Sequence, residues 1–318
     1  MKSNTKVFEK ANKPKLFKKK GKTATKGETR SAWALIAPYA IAFSLFILVP
    51  TILAIILSFT YFNAIEFPTW IGFTNYITLL TQDTEFFRTI LPNTIQYAVL
   101  VGVGGFVLSF FVAWLLSQVQ KGPRTVMALI IYSPSMVGPV FVTVLFQSLF
   151  SGDESGFLNA FLLERGFIDT PIQFLLSPDL LFPITIFVAL WSSMGIGFLS
   201  MLAGILNVDK ELYEAAYIDG IKNRFQEVIY ITIPQMKPQM LFGAVMAIVN
   251  AFNSGWIGVA LSGSNPTPQY SASVITNHID DYGFQRYEMG YASAISVVLL
   301  IIVYVISQVA NKLLSDDD

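Results

Sequence analysis

Apolar residues gather into six long runs along the chain: Trp33 to Phe59, Thr94 to Leu116, Val126 to Phe150, Phe182 to Leu206, Met240 to Leu261 and Met289 to Ala310. At about 1.5 Å of rise per residue, each run is long enough as a helix to cross a hydrocarbon core. The pattern therefore predicts an all-α integral membrane protein with six spans, near residues 33–60, 94–116, 126–150, 182–206, 240–261 and 289–310. Pro38, Pro50, Pro134 and Pro139 fall inside the runs, where kinks are expected without complete breaks, although the third run also reads as two half-helices. The first run is too long for a signal peptide and is expected to stay in the mature protein. The stretches between runs near Phe157, Phe161, Leu162, Phe174 and Leu175 read as short interfacial helices.

Composition agrees with a membrane solvent. Hydrophobic residues make up 53% of the 318, mean hydropathy is +0.56, and only 13% are charged. The absence of cysteine excludes disulfides, thiolate metal sites and cysteine nucleophiles. A single histidine, His278, argues against a metal centre; with Asp280 and Asp281 it reads as part of a solvated loop. A membrane-embedded enzyme using Asp153, Glu154 or His278 would need paired groups at usable spacing, and no such pairing is visible.

Charge is zero overall but unevenly placed. Residues 1–30 carry eleven Lys or Arg against two acids, too polar to bury a core, and read as a basic tail. A six-span domain then runs over 31–314, and residues 315–318 make an acidic end. Within the tail, Gly21-Lys22-Thr23 has the ending of a phosphate-binding loop, but Leu16 stands where that motif needs glycine. Counting alternate loops puts eighteen Lys or Arg on one side and only Arg88, Arg165 and Arg286 on the other. Positive charge favours the cytoplasm, so both termini are expected inside a bacterial cell membrane.

The loop from Asn207 to Pro234 reads as two short amphipathic helices on the basic side. Asn207 is placed to cap the first, Asp209 and Glu211 sit in its first turn, and Gly220 ends it in a left-handed turn. Asn223 and Gln226 have capping-box spacing for the second. Ala215 and Ala216 leave the first helix with a low profile on which another protein can pack. By itself this is equally an ordinary interfacial loop.

Glu214-Ala215-Ala216, Asp219-Gly220, Phe225 and the Ile231-Thr232-Ile233-Pro234 ending resemble the EAA loop of membrane subunits in binding-protein-dependent ATP-binding-cassette importers. Leu261 to Pro266, followed by Gly290-Tyr291-Ala292-Ser293-Ala294, is similar to the corresponding part of maltose-system carbohydrate permeases, and the likeness covers roughly residues 33–310. Two features depart from that pattern: the interval from Gly220 to Pro234 is one residue longer, and Ile233 replaces the usual Leu. The resemblance implies a six-span type I importer permease, with Glu214, Ala215, Ala216, Asp219, Gly220, Phe225 and Pro234 coupling it to an ATPase. It implies as partners a cytoplasmic ATPase dimer, a second and different permease, and an extracellular solute-binding protein or lipoprotein, besides membrane lipid. ATP and Mg would bind the ATPase, with no cofactor and no enzymatic activity in this chain, which also lacks a complete Walker A sequence. No nucleic-acid partner is expected.

None of the six runs carries an ionisable Asp, Glu, Lys, Arg or His in its core, which argues for a neutral solute and against ion-coupled carriers or self-sufficient channels. Trp191, Ser192, Asn250, Asn253, Ser254 and Trp256 are candidates for the substrate path, since amides, hydroxyls and aromatic faces suit a carbohydrate such as an oligosaccharide, or a polyol. The same residues equally suit bonding between helices, with Gly195, Gly197 and Gly255 permitting close approach.

Overall fold

The computed structural model describes residues 26–314, so most of the basic tail and the acidic end lie outside the described residues. The chain divides into two units, residues 1–52 and 53–318. In the first, helix α1 (Lys26–Phe43) begins inside the stretch expected to be tail and passes through a π-helical turn at Ser44–Leu48 into α2 (Val49–Leu57). None of the described side chains from Leu35 to Ile52 is buried. A helix apolar all round is suited to hydrocarbon.

The second unit, which takes in the end of α2, contains the one strand pair among the described residues, a two-residue antiparallel ladder of β1 (Thr60–Tyr61) and β2 (Thr69–Trp70). Helix α3 (Thr74–Thr81) follows. The next helix is continuous over Phe86–Ser117 and includes α4 (Leu91–Tyr97) and α5 (Gly104–Ser117), separated by a π-helical turn at Ala98–Val103. It starts earlier than hydropathy placed it, because its first turn buries Phe86 and Ile90 while leaving Arg88 outward.

Two later spans are broken. Helices α6 (Lys121–Met136) and α7 (Pro139–Leu149) meet at 96°. Of the two readings of this run, a kink or two half-helices, the second holds: Val137 and Gly138 are extended, and a residue preceding proline is driven from helical to extended backbone. After α8 (Phe157–Glu164), helices α9 (Pro178–Ser192) and α10 (Ile196–Asn207) meet at 47° without any proline at the break. Gly195, at φ −98° and ψ −140°, takes the chain out of the helix there. Phe174 and Leu175 join a buried cluster with Phe146 and Leu181 instead of lying at an interface.

Beyond α10 come α11 (Lys210–Ile218), α12 (Arg224–Glu227), a π-helical turn at Val228–Thr232, α13 (Ile233–Gln235) and α14 (Lys237–Asn253). Helices α15 (Trp256–Ser262), α16 (Ile275–Asp280) and α17 (Met289–Leu314) complete the unit. Among the described residues, four helices are long and apolar enough to span a membrane, or six when each bent pair counts as one. Helix α10 packs against α5 and α14, with Phe198, Met201, Leu202, Met236 and Met240 forming the shared core. Lipid offers apolar surface as good as leucine, so this association rests on close packing.

His278 is not solvated. It is 2% exposed, and its Nε2–H donates to the Asp83 carboxylate at 2.8 Å. Asp281 is likewise buried and paired with Arg286 at 2.7 Å, while Asp280 alone stays exposed. The partner of His278 comes from a distant segment, which a local reading of 278–281 does not reveal.

Candidate functional site

Three interruptions of helix face one hollow of about 290 Å³. Pro134, Ser135, Val137 and Pro139 come from the α6–α7 break, Ser192, Ser193 and Gly195 from the α9–α10 break, and Asn250, Asn253, Ser254 and Trp256 from the α14–α15 junction. In a membrane segment such interruptions free backbone polar groups, which is tolerated where they line a cavity. Five of the six path candidates are brought together here. Trp191 is not among them: it meets Phe146 edge-on at 5.1 Å and lines a separate apolar groove with Phe141 and Phe187. One residue along a helix turns a side chain by about 100°, so neighbours 191 and 192 face different surroundings.

The hollow's polar groups differ in freedom. Ser254 is engaged by the Tyr97 hydroxyl at 2.9 Å, and Ser193 donates to the Leu190 carbonyl at 2.8 Å. The Ser192 hydroxyl is buried and has no partner. No hydrogen bond is made by the Asn250 and Asn253 side-chain amides among the described residues. The two amides offer donors and acceptors to a hydroxylated solute, and the lining contains no Asp, Glu, Lys, Arg or His. Ser135 and Tyr132 also line the hollow and were not candidates from sequence; the α6–α7 bend brings them in.

The other end of α14 leads to the loop pair α11–α12. Asp209, not Asn207, caps α11, accepting the Glu211 N–H at 3.0 Å, because α10 continues helical through Asn207. At the far end the Gly220 N–H reaches the Tyr217 carbonyl and the Ile221 N–H reaches the Ala216 carbonyl, the paired bonds of a Schellman turn. Gly220 sits at φ +100°, a conformation costly for any residue with a Cβ. Asn223 caps α12 through the Gln226 N–H at 2.8 Å, while the Gln226 side chain accepts from Lys222 rather than Asn223.

Glu214, Ala215, Asp219, Gly220, Phe225 and Pro234 are exposed, and Ala216 is half-buried. Ile218 and Phe225, 88% and 71% exposed, add apolar surface. The face of α11 turned inward carries Tyr213, bonded to Thr232 at 2.9 Å, and Tyr217, which donates to Glu227. The hydrogen bond to Glu227 is the main cause of the Tyr217 hydroxyl being held above its ordinary pKa, and the same carboxylate raises Arg224. Tyr213 and Tyr217 stand four apart, the spacing that puts both on one helix face. The π-helical turn at Val228–Thr232 takes up one residue more than an α-helical path would, so the longer interval to Pro234 is absorbed inside the helix.

A family model described as the inner membrane component of binding-protein-dependent transport systems matches residues 105–315. The chain belongs to that family. The permease is 32% identical over 286 residues to the probable ABC transporter permease protein YesP of Bacillus subtilis (strain 168), covering 89% of each chain. It is 30% identical to the arabinooligosaccharides transport system permease protein AraP of the same organism, over 87% of this chain and 86% of that one. Among solved structures, it resembles a chain of a bacterial alginate ABC transporter in complex with an alginate pentasaccharide-bound periplasmic protein, with a TM-score of 0.76 and 27% identity over 90% of this chain and 94% of that one. The permease is thus a multi-pass membrane protein of ABC importers.

Proposed function

We propose that this permease forms one half of the channel of an importer for a neutral oligosaccharide, and that the hollow between the three breaks is part of the path. One observation carries the reading. Helix α14 joins the rigid, exposed α11–α12 pair at one end to Asn250 and Asn253 at the hollow, about 25 Å away along its axis. A push on the loop pair would therefore reach the polar lining through a single helix. In this reading both termini and the α11–α12 pair face the cytoplasm, where α11 seats in an ATPase subunit that binds ATP and Mg. Glu214 meets a basic group there, Ala215 and Ala216 allow close approach, and Phe225 and Ile218 fill apolar recesses.

A second, similar permease completes the channel wall, and an extracellular binding protein delivers the solute. The chain itself carries out no catalysis. The AraP relative and the alginate transporter both point toward oligosaccharides, and a lining free of ionisable acids and bases favours a neutral one over an acidic one such as alginate. The test is uptake by liposomes holding the permease with its co-encoded permease, ATPase and binding protein, across a panel of neutral and acidic oligosaccharides. Uptake of a neutral member, abolished by Glu214→Ala combined with Gly220→Pro, is the expected result. Unchanged uptake in that double variant overturns the coupling role of the loop.

A further inference from the structure

Glu227 is a carboxylate buried to 4% exposure in a loop whose other acids face outward. Burying a charge is costly unless it is paired and hydrogen-bonded, so its surroundings must hold it. They do so from two sides. One oxygen accepts from the Tyr217 hydroxyl of α11, and the other accepts from the Arg224 guanidinium at 2.9 Å within α12. The Glu227 main-chain carbonyl also accepts from Thr232 at 3.3 Å, and Thr232 meets the Tyr213 hydroxyl. Two tyrosines of α11 are thus fastened to one six-residue stretch, Glu227 to Thr232. That stretch runs on through α13 into α14. The chain link from α11 to α12, residues 219–223, is by contrast mostly exposed, with nothing within 4 Å of where a Cβ on Gly220 would stand.

A displacement of α11 could reach α14 by two routes: through the chain around Gly220, or across the Tyr217–Glu227 and Tyr213–Thr232 contacts. The first runs through residues 219–223, which lie outside both helices and are mostly exposed. The second is a charge-assisted bond to a buried carboxylate, stronger than a neutral one and directional. We infer that Glu227 is the positioning residue that fastens the docking helix α11 to α14, so that movement imposed on α11 is passed to the hollow instead of being lost in the Gly220 turn. The inference rests on the reading of α11 as the helix seated in the ATPase.

Because the chain has no cysteine, spin labels can be attached at Glu211→Cys and Phe242→Cys alone, both exposed positions on α11 and α14. The distance between them is measured in the purified full transporter, with and without ATP, in otherwise unaltered protein and with Glu227→Ala, Tyr217→Phe or Glu227→Gln. The expected result is a narrow distance distribution that stays narrow on ATP binding in the unaltered protein and broadens in Glu227→Ala and Tyr217→Phe. Glu227→Gln, whose amide oxygen still accepts from Tyr217, restores the narrow distribution. In parallel, sugar moved per ATP hydrolysed, with labelled arabino-oligosaccharide as probe, falls about ten-fold in Tyr217→Phe, the loss expected for one charge-assisted hydrogen bond. A merely structural role would lower the yield of transporter without changing that ratio. Narrow distributions and unchanged ratios in Tyr217→Phe, which removes a single hydroxyl and spares the fold, overturn the inference. Loss of ATPase binding in Glu214→Ala with an unaltered Glu227 network supports the docking reading separately, whereas intact binding and coupling there overturn both.

Discussion

The imidazole of His278 donates to the carboxylate of Asp83 across 2.8 Å, although 195 residues separate them along the chain. The same carboxylate accepts from the Tyr291 hydroxyl at 2.7 Å and from the Phe86 N–H at 2.9 Å. One group therefore joins the segment before the second span, the loop before the last span, and α17. Burial works to raise the Asp83 pKa, but the bonds from His278, Tyr291 and Phe86 together outweigh it and hold the carboxyl below its ordinary value of 3.8. A carboxyl lowered in the folded state contributes stability in full above the unfolded value, and that contribution is lost as pH falls through the lowered one. Asp83→Asn should therefore flatten the loss of stability below pH 3.8, measured by thermal unfolding in detergent. At neutral pH, Asp83→Ala should cost about 3–5 kcal/mol, the price of breaking a buried pair on one side. An unshifted melting temperature in Asp83→Ala would show that the cluster does not hold these segments together.

Gly290, at the start of α17, lies so close to β1 that a Cβ would stand 2.1 Å from the Thr60 carbonyl oxygen. Backbone cannot swing aside as a side chain can, and the Gly290 N–H is itself bonded to the Phe62 carbonyl at 3.1 Å. Gly290→Ala is expected to destabilise by about 1–3 kcal/mol, as overpacking does. Hydrogen exchange should show the change first around residues 60–62. An alanine variant with unaltered exchange there would mean that the β1 segment is free to move.

Asp209 rather than Asn207 caps α11, and the two are easily told apart. Asp209→Ala should cost about 1 kcal/mol of local stability, which raises amide exchange in α11 about five-fold. Asn207→Ala should leave it unaltered. The reverse order would place the start of α11 two residues earlier.

These cases also show which parts of the molecule can be read along the chain. Gly220 and Asn223 were legible because a left-handed turn and a helix cap are set by one or two neighbouring residues. The cap of α11 was misplaced by two residues because α10 runs on through Asn207, and where a helix stops depends on what it packs against. The α9–α10 break escaped notice since no proline marks it and Gly195 is one glycine among several in that run. His278 and Glu227 were illegible for a different reason. His278 meets Asp83 only because the folded chain brings them together, and Glu227 is covered from the neighbouring helix α11, whereas an acid or histidine in a loop otherwise reads as solvated. Of the path candidates chosen by side-chain type, five line the hollow at the breaks and Trp191 lines a separate groove, because type says nothing about facing.

Ser192 gives the sharpest test of the hollow, since its hydroxyl is buried and unpartnered in the structure. An unsatisfied buried hydroxyl costs stability, so Ser192→Ala alone should leave the melting temperature unchanged or raise it slightly. If the hydroxyl serves a passing sugar, the same substitution should raise the KM for uptake about five- to ten-fold, the worth of one hydrogen bond. A packing role predicts the opposite pair of results, a lower melting temperature with KM unmoved. Asn250→Leu extends the test, because it removes both donor and acceptor from the same wall while keeping a similar volume, and it should lower uptake further while the assembled transporter remains. Measuring both quantities on the same reconstituted samples separates a residue that touches solute from one that holds helices together.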